Sequence, residues 1–208
     1  MTHPEAHPST ISVLQFDSKE VVATTIADVS TLSSLPEDAN LVTGIDVTGL
    51  ENTALIEAIG EKYKLHPLAL EDAVNVHHRA KVDMYGDHLF VVVRAHAHGG
   101  VESEQIAMFL GANFVITMQE TPSEILGIVK TRVEMDKGRV RERGADYLLY
   151  SLLDSIIDSF FPTLEVYGEQ LDRLDERGSA SGERDLINQI HNVRVELRAL
   201  QRFVEDAG

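Results

Sequence analysis

The sequence predicts an α+β fold: a β-sheet covered by helices, followed by a long helical hairpin. Three observations carry this. Short β-branched runs bounded by turn residues recur through the first two-thirds of the chain. Segments with helical apolar spacing are interleaved with them. After Gly144 the pattern becomes helical almost without interruption. The 208 residues suffice to bury a core without disulfide or metal staples.

Residues 1–9 are polar and Pro-rich and read as a frayed terminus. ISVLQF (11–16) and VVATTI (21–26) read as strands joined by a tight turn at Asp17-Ser18-Lys19. LVTGIDV (41–47) is the next strand. From Glu51 to Lys64 a helix is expected, because Leu55, Ile56 and Ile59 share one face. Pro67 suits the first turn of a second, short helix over 67–75. KVDMY (81–85) and HLFVVVRAH (88–96) are strands around Gly86-Asp87. SEQIAMFLG (103–111) and NFVITMQ (113–119) form a hairpin turning at Gly111-Ala112. Thr121-Pro122-Ser123-Glu124 has the form of a capping box, opening a helix to about Lys137.

Residues 145–177 form a broad apolar stripe in which Leu148, Leu149, Leu152, Leu153, Ile156, Ile157, Phe160 and Phe161 recur at helical spacing. Pro162 is expected to kink this helix. GSASG (178–182) makes a flexible turn into a second helix over 183–206. Two such helices joined by a short loop form a hairpin.

Composition narrows the function. The formal net charge of −16 repels nucleic acid and anionic membrane surfaces and concentrates cations. A well-solvated acidic surface is the plainer account of the same charge. The absence of cysteine excludes disulfides and thiolate metal sites. Neither a signal peptide nor an apolar run of the ~20 residues that span a bilayer is present, so the chain as it stands is expected to be soluble. No P-loop, GxGxxG, GxSxG or HExxH motif suggests an enzyme.

Acidic pairs are the residues with chemistry to offer. Glu71 and Asp72 sit at the centre of the apolar run HPLALEDAVN. On a helix they diverge by about 100°, so each faces a different neighbour. Position alone favours a dipole-stabilising role for them. Asp154 and Asp158 are spaced i, i+4 and are expected on one face, opposite the apolar stripe and beside Ser151 and Ser155. Two carboxylates there repel, and a hard divalent cation such as Mg²⁺ relieves the repulsion. A solvated acidic face explains the spacing equally well. Of the histidines, His77-His78 and the strand pair His96 and His98 are the closest clusters, and surface or turn positions account for them.

HPLALEDAVNVHHRAKVDMYGDHLFVVVR, SEQIAMFLGANFVITMQE and GRVRERGADYLLYSLLDSIIDSFF occur in that order and spacing. The combination resembles the CorA family of magnesium and cobalt channels over roughly residues 40–206. The resemblance implies an α/β/α cytoplasmic domain over 1–140 and a long antiparallel helical hairpin over 141–208. It implies a homopentamer in the cell (inner) membrane, with this region on the cytoplasmic side. It implies that Mg²⁺, or Co²⁺ or another divalent cation, binds between subunits and favours the closed channel. The positions it assigns to metal are Asp72, with Glu71, and Asp154, with Asp158. Family members continue into a stalk helix and two membrane helices with a GMN signature, which this sequence does not contain. An isolated piece of this extent is expected to be a monomer or weak dimer with incomplete sites, meeting a membrane only through the missing helices. A zinc-transporting relative is the alternative within the superfamily. A soluble metal-dependent hydrolase using Asp154 and Asp158, and a plain interaction scaffold, are the alternatives outside it.

Overall fold

In the computed structural model, seven strands form a single sheet: β1 (Thr10–Phe16), β2 (Val21–Ile26), β3 (Val42–Thr48), β4 (Lys81–Tyr85), β5 (His88–His96), β6 (Ser103–Leu110) and β7 (Phe114–Gln119). The structure describes residues 9–26, 29–32, 35, 38–76, 78–96, 103–178, 190, 191, 193–195 and 198. The strand order is β2-β1-β3-β7-β6-β5-β4. Every neighbouring pair is antiparallel except β3 and β7, which run parallel. Two antiparallel halves thus meet at one parallel seam.

Alternation along the strands splits the apolar residues between two faces. Ile45 and Val47 of β3 and Ile116 and Met118 of β7 join one core. Helices α2 (Thr53–Tyr63) and α3 (Pro67–Val74) cover it, through Leu55, Ile59, Ala69 and Ala73. Leu14, Val115 and Met108 join the opposite core, under α4 (Glu124–Glu134) and α5 (Ala145–Asp158). Ile59, Phe90 and Ile116 are fully buried, and each such side chain contributes about 1.5–3 kcal/mol relative to leaving it in water. The result is the α/β/α sandwich. A 3₁₀ turn (Val140–Glu142) stands where a boundary after residue 140 is expected, and beyond it α5, expected in the hairpin, returns to the sheet and packs beside α4.

Local chemistry explains most element ends. Asp17 Oδ1 accepts from the backbone amides of Lys19 and Glu20 at 2.7 Å each, closing the β1–β2 turn. Asn52 caps α2 by accepting from the Leu55 amide at 3.2 Å. His66 caps α3 through Nδ1, which accepts from the Leu68 amide at 3.2 Å, and Pro67 follows as expected. At the β6–β7 turn a Cβ on Gly111 would lie 2.2 Å from the Phe114 ring, so only glycine fits there.

Several expectations are corrected. A short helix α1 (Val29–Leu32) precedes β3. The capping box does not form: the Thr121 hydroxyl donates instead to Glu104 of β6, and α4 starts at Glu124. That helix ends at Glu134 rather than near Lys137, because Asp136 adopts a positive φ of 52° and the Lys137 amide turns back to the Arg132 carbonyl at 2.9 Å. The long helix breaks at Ser159, ahead of Pro162, and resumes as α6 (Phe160–Gly178). Proline clashes with the carbonyl four residues back, so the break precedes it and Pro162 falls in the first turn of α6. Ile157 and Phe161 of the expected stripe are exposed, at 62% and 57%. Gly178, the first residue of the expected GSASG turn, is the last residue of α6, while residues 179–182 and most of the 183–206 helix lie outside the described residues. The described residues at 190, 191, 193–195 and 198 are helical, and Val193 packs on Tyr167 and Leu174 of α6.

Candidate functional site

The sandwich fixes α3 by its apolar side. Ala69 and Ala73 face the sheet, so Glu71 and Asp72 fall on different flanks. Glu71 is exposed. Asp72 is half-buried and turns toward β4. Its Oδ2 accepts from Lys81 Nζ at 2.6 Å, and its Oδ1 lies 3.1 Å from His78 Nε2. The same Lys81 ammonium reaches Asp83 Oδ2 at 3.0 Å. One lysine thus serves two carboxylates. The hydrogen bond to Asp72, chiefly, raises the Lys81 pKa above its ordinary value.

Gln105 of β6 holds this cluster in place. It is 4% exposed, and its Nε2 donates to the Asp72 carbonyl at 3.3 Å and the Asn75 carbonyl at 3.2 Å. Its Oε1 accepts from the His78 amide at 3.0 Å. One buried amide therefore ties the end of α3 to the loop that carries His78. Sequence reasoning missed both Lys81 and Gln105. A lone glutamine in the apolar run of β6 was the available signal for Gln105.

On the other face of the sheet, α5 carries Asp154, half-buried, and Asp158, exposed. Tyr150 Oη lies 3.4 Å from Asp154 Oδ1. The Asp154 charge raises the Tyr150 pKa, with a smaller push from Asp158. Contrary to expectation, Ser151 and Ser155 do not stand beside these acids but face the core, at 6% exposure. Ser151 Oγ donates to the Tyr147 carbonyl at 2.8 Å. At helical spacing Ser151 lies about 60° from both Leu148 and Asp154, so small size decides its side.

The structure therefore unites Asp72 with Lys81, His78 and Asp83, and carries Asp154 and Asp158 one turn apart on α5. It keeps the two pairs apart, on opposite faces of one sheet. Among the described residues, no group of three or more His, Asp or Glu side chains is placed to hold a metal ion. His77, His98 and the side chain of His96 lie outside the described residues. Among the described residues, no helix is long and apolar enough to cross a membrane.

The model of the family described as CorA-like Mg²⁺ transporter protein matches residues 45–207. The chain is 32% identical over 199 residues to the cobalt/magnesium transport protein CorA of Thermotoga maritima, covering 93% of this chain and 56% of that protein. Its fold is similar to that of the complete CorA magnesium transporter of Methanocaldococcus jannaschii, with a TM-score of 0.71 at 16% identity, covering 94% of this chain and 60% of that one. It is also similar to the ZntB cytoplasmic domain of Vibrio parahaemolyticus, with a TM-score of 0.71 at 12% identity, covering 95% and 76%. The chain thus spans little more than half the length of the CorA proteins it matches.

Proposed function

The chain belongs to the CorA family, and on that premise we propose that it is the cytoplasmic, divalent-cation-sensing region of a Mg²⁺/Co²⁺ channel that assembles as a homopentamer in the cell membrane. The observation that carries this is the separation of two acid pairs on opposite faces of one sheet. Neither pair meets the other within a chain, so a site that draws on both needs a neighbouring subunit.

The donor set suits the ion. Mg²⁺ takes hard oxygen ligands and brings two positive charges, and Glu71, Asp72, Asp154 and Asp158 offer only carboxylate oxygens. Asp72 keeps acceptor capacity beyond its contacts with Lys81 and His78, because a carboxylate offers about four acceptor positions. Asp154 and Asp158 repel each other at i, i+4 spacing, and a shared cation removes that repulsion. Ion occupancy favours the closed assembly only to the extent that the closed assembly binds the ion more tightly. Carboxylates left bare at a subunit boundary repel, and the coupling between occupancy and packing follows.

The test is a Mg²⁺ titration of a form extended to the length of its relatives, followed by light scattering and limited proteolysis. Assembly or protection that depends on Mg²⁺, and that Asp72→Asn and Asp154→Asn/Asp158→Asn each weaken, supports the proposal. A response that both variants leave intact sinks it. A zinc-transporting channel is the second reading, favoured by the shared fold of the ZntB domain, and a response to Zn²⁺ well below the Mg²⁺ range selects it. The hydrolase reading needs a base beside Asp154, and the neighbour there is Tyr150, whose phenol Asp154 makes less acidic.

A further inference from the structure

Between the sheet and the α4–α5 layer lies a cavity of about 190 Å³. Leu126 of α4 and Leu148 and Leu152 of α5 make its walls largely apolar. Two charged side chains of opposite sign also line it, Asp46 of β3 and Lys130 of α4.

A carboxylate in such a wall is costly unless something compensates it. Burial raises the Asp46 pKa. Its partners engage one oxygen only: Thr117 Oγ1 donates to Oδ1 at 2.7 Å and Gln119 Nε2 donates to the same Oδ1 at 3.0 Å. Among the described residues, no hydrogen bond reaches Oδ2. Beside this network Gln119 Oε1 is buried without a partner, in a residue 1% exposed. The Lys130 ammonium attracts Asp46 from a distance but donates to Ser12 Oγ, at 2.9 Å. The two charges share the cavity without closing an ion pair.

Gly127 of α4 also lines the cavity, and it is exposed. A Cβ at this position would meet nothing within 4 Å. Glycine inside a helix costs about 1 kcal/mol relative to alanine. A larger side chain placed here is expected to narrow the open side of the cavity.

We propose that this cavity binds a small zwitterion with a short apolar side chain, the chemistry of a free aliphatic amino acid. The ligand ammonium meets Asp46 Oδ2 and its carboxylate meets the Lys130 ammonium. Its side chain lies against Leu126, Leu148 and Leu152. Charge-assisted hydrogen bonds in a largely apolar pocket supply specificity. A cavity of ~150 Å³ accommodates benzene, and valine and leucine are of comparable bulk.

Isothermal titration calorimetry on the 208-residue chain tests this with valine, leucine, isoamylamine and isovaleric acid. An aliphatic amino acid is expected to bind, and each analogue with a single charge to bind about tenfold or more weakly. Asp46→Asn should abolish the preference of valine over isovaleric acid, its analogue without the ammonium. Lys130→Met should abolish the preference of leucine over isoamylamine, its analogue without the carboxylate. Gly127→Leu should close the mouth, abolishing binding while keeping or raising the melting temperature. The proposal is overturned if neither amino acid gives heat up to about 10 mM, if the single-charge analogues bind as well, or if folded Gly127→Leu binds undiminished.

Discussion

Two pairs of acids lie on opposite faces of the same sheet, and their surroundings differ. Asp72 on α3 is held by Lys81 and His78 and braced from below by Gln105. Asp154 on α5 has a phenol hydroxyl at 3.4 Å, and Asp158 is exposed. The first carboxylate already has a cation, so a divalent ion must share it or displace Lys81. The second pair has no cation beside it among the contacts described. Under the proposed function a divalent ion would therefore bind at Asp72 by exchange with Lys81 and at Asp154 and Asp158 by simple addition. An exchanging site would keep its fold when the metal departs, because Lys81 would take the place of the ion.

The contrast can be broken most strongly at its support. Gln105→Leu removes three hydrogen bonds from a buried position and orphans the Asp72 and Asn75 carbonyls and the His78 amide. A loss of about 2–4 kcal/mol is expected, lowering the melting temperature by about 5–12 °C in thermal unfolding. Tyr150 should titrate as before, since α5 lies on the other face.

Lys81→Met addresses the exchange itself. It leaves Asp72 and Asp83 facing each other without their shared ammonium. The pair is partly exposed, so the expected cost is only about 1 kcal/mol. Mg²⁺ should restore more stability to this variant than to the parent chain, because Lys81 no longer competes. Equal Mg²⁺ effects in thermal shift would show that Asp72 is not the exchanging ligand.

The pH dependence supplies the sign. The folded-state pKa of Lys81 is raised above its ordinary 10.5. The stability it contributes is therefore fully present below pH 10.5 and is lost as pH climbs through the raised value. Denaturant titrations should show an alkaline decline beyond that point that Lys81→Met lacks. Smallest of all, Asp154→Asn/Asp158→Asn should change stability by only a few tenths of a kcal/mol, in the favourable direction. Its signature is spectroscopic: ultraviolet titration should find the Tyr150 phenol ionising at lower pH once the Asp154 charge is gone.

The sequence made much of this legible, for reasons that stay local. Strand alternation, the proline at the start of α3 and the divergence of Glu71 from Asp72 each depend on a few adjacent residues. What escaped depends on the sheet. Lys81 reaches Asp72 because β4 is the edge strand on the α3 side, which no local pattern reveals. Thr121 is not the cap because α4 starts two residues later, with Ser123 at the N-cap position, while the Thr121 hydroxyl donates to Glu104, from a strand 17 residues earlier. Ser151 could read to either side of α5, and packing chose the core. The assignment of metal to Asp72 and Asp154 came from resemblance, since an acid on a helix flank has by itself no distinguishing mark.

The parallel seam between β3 and β7 has a kinetic meaning. Each antiparallel half pairs strands that are near in sequence, apart from the β1–β3 step. The seam joins residues such as Asp46 and Thr117, which are 71 positions apart. Closing so long a loop costs entropy before any contact across it is rewarded. The two halves are therefore expected to form early and separately, and their union to set the folding rate. Thr117 and Gln119, which bond to Asp46 across that line, are therefore expected to slow folding when replaced by valine and leucine, a rate change that stopped-flow refolding would read.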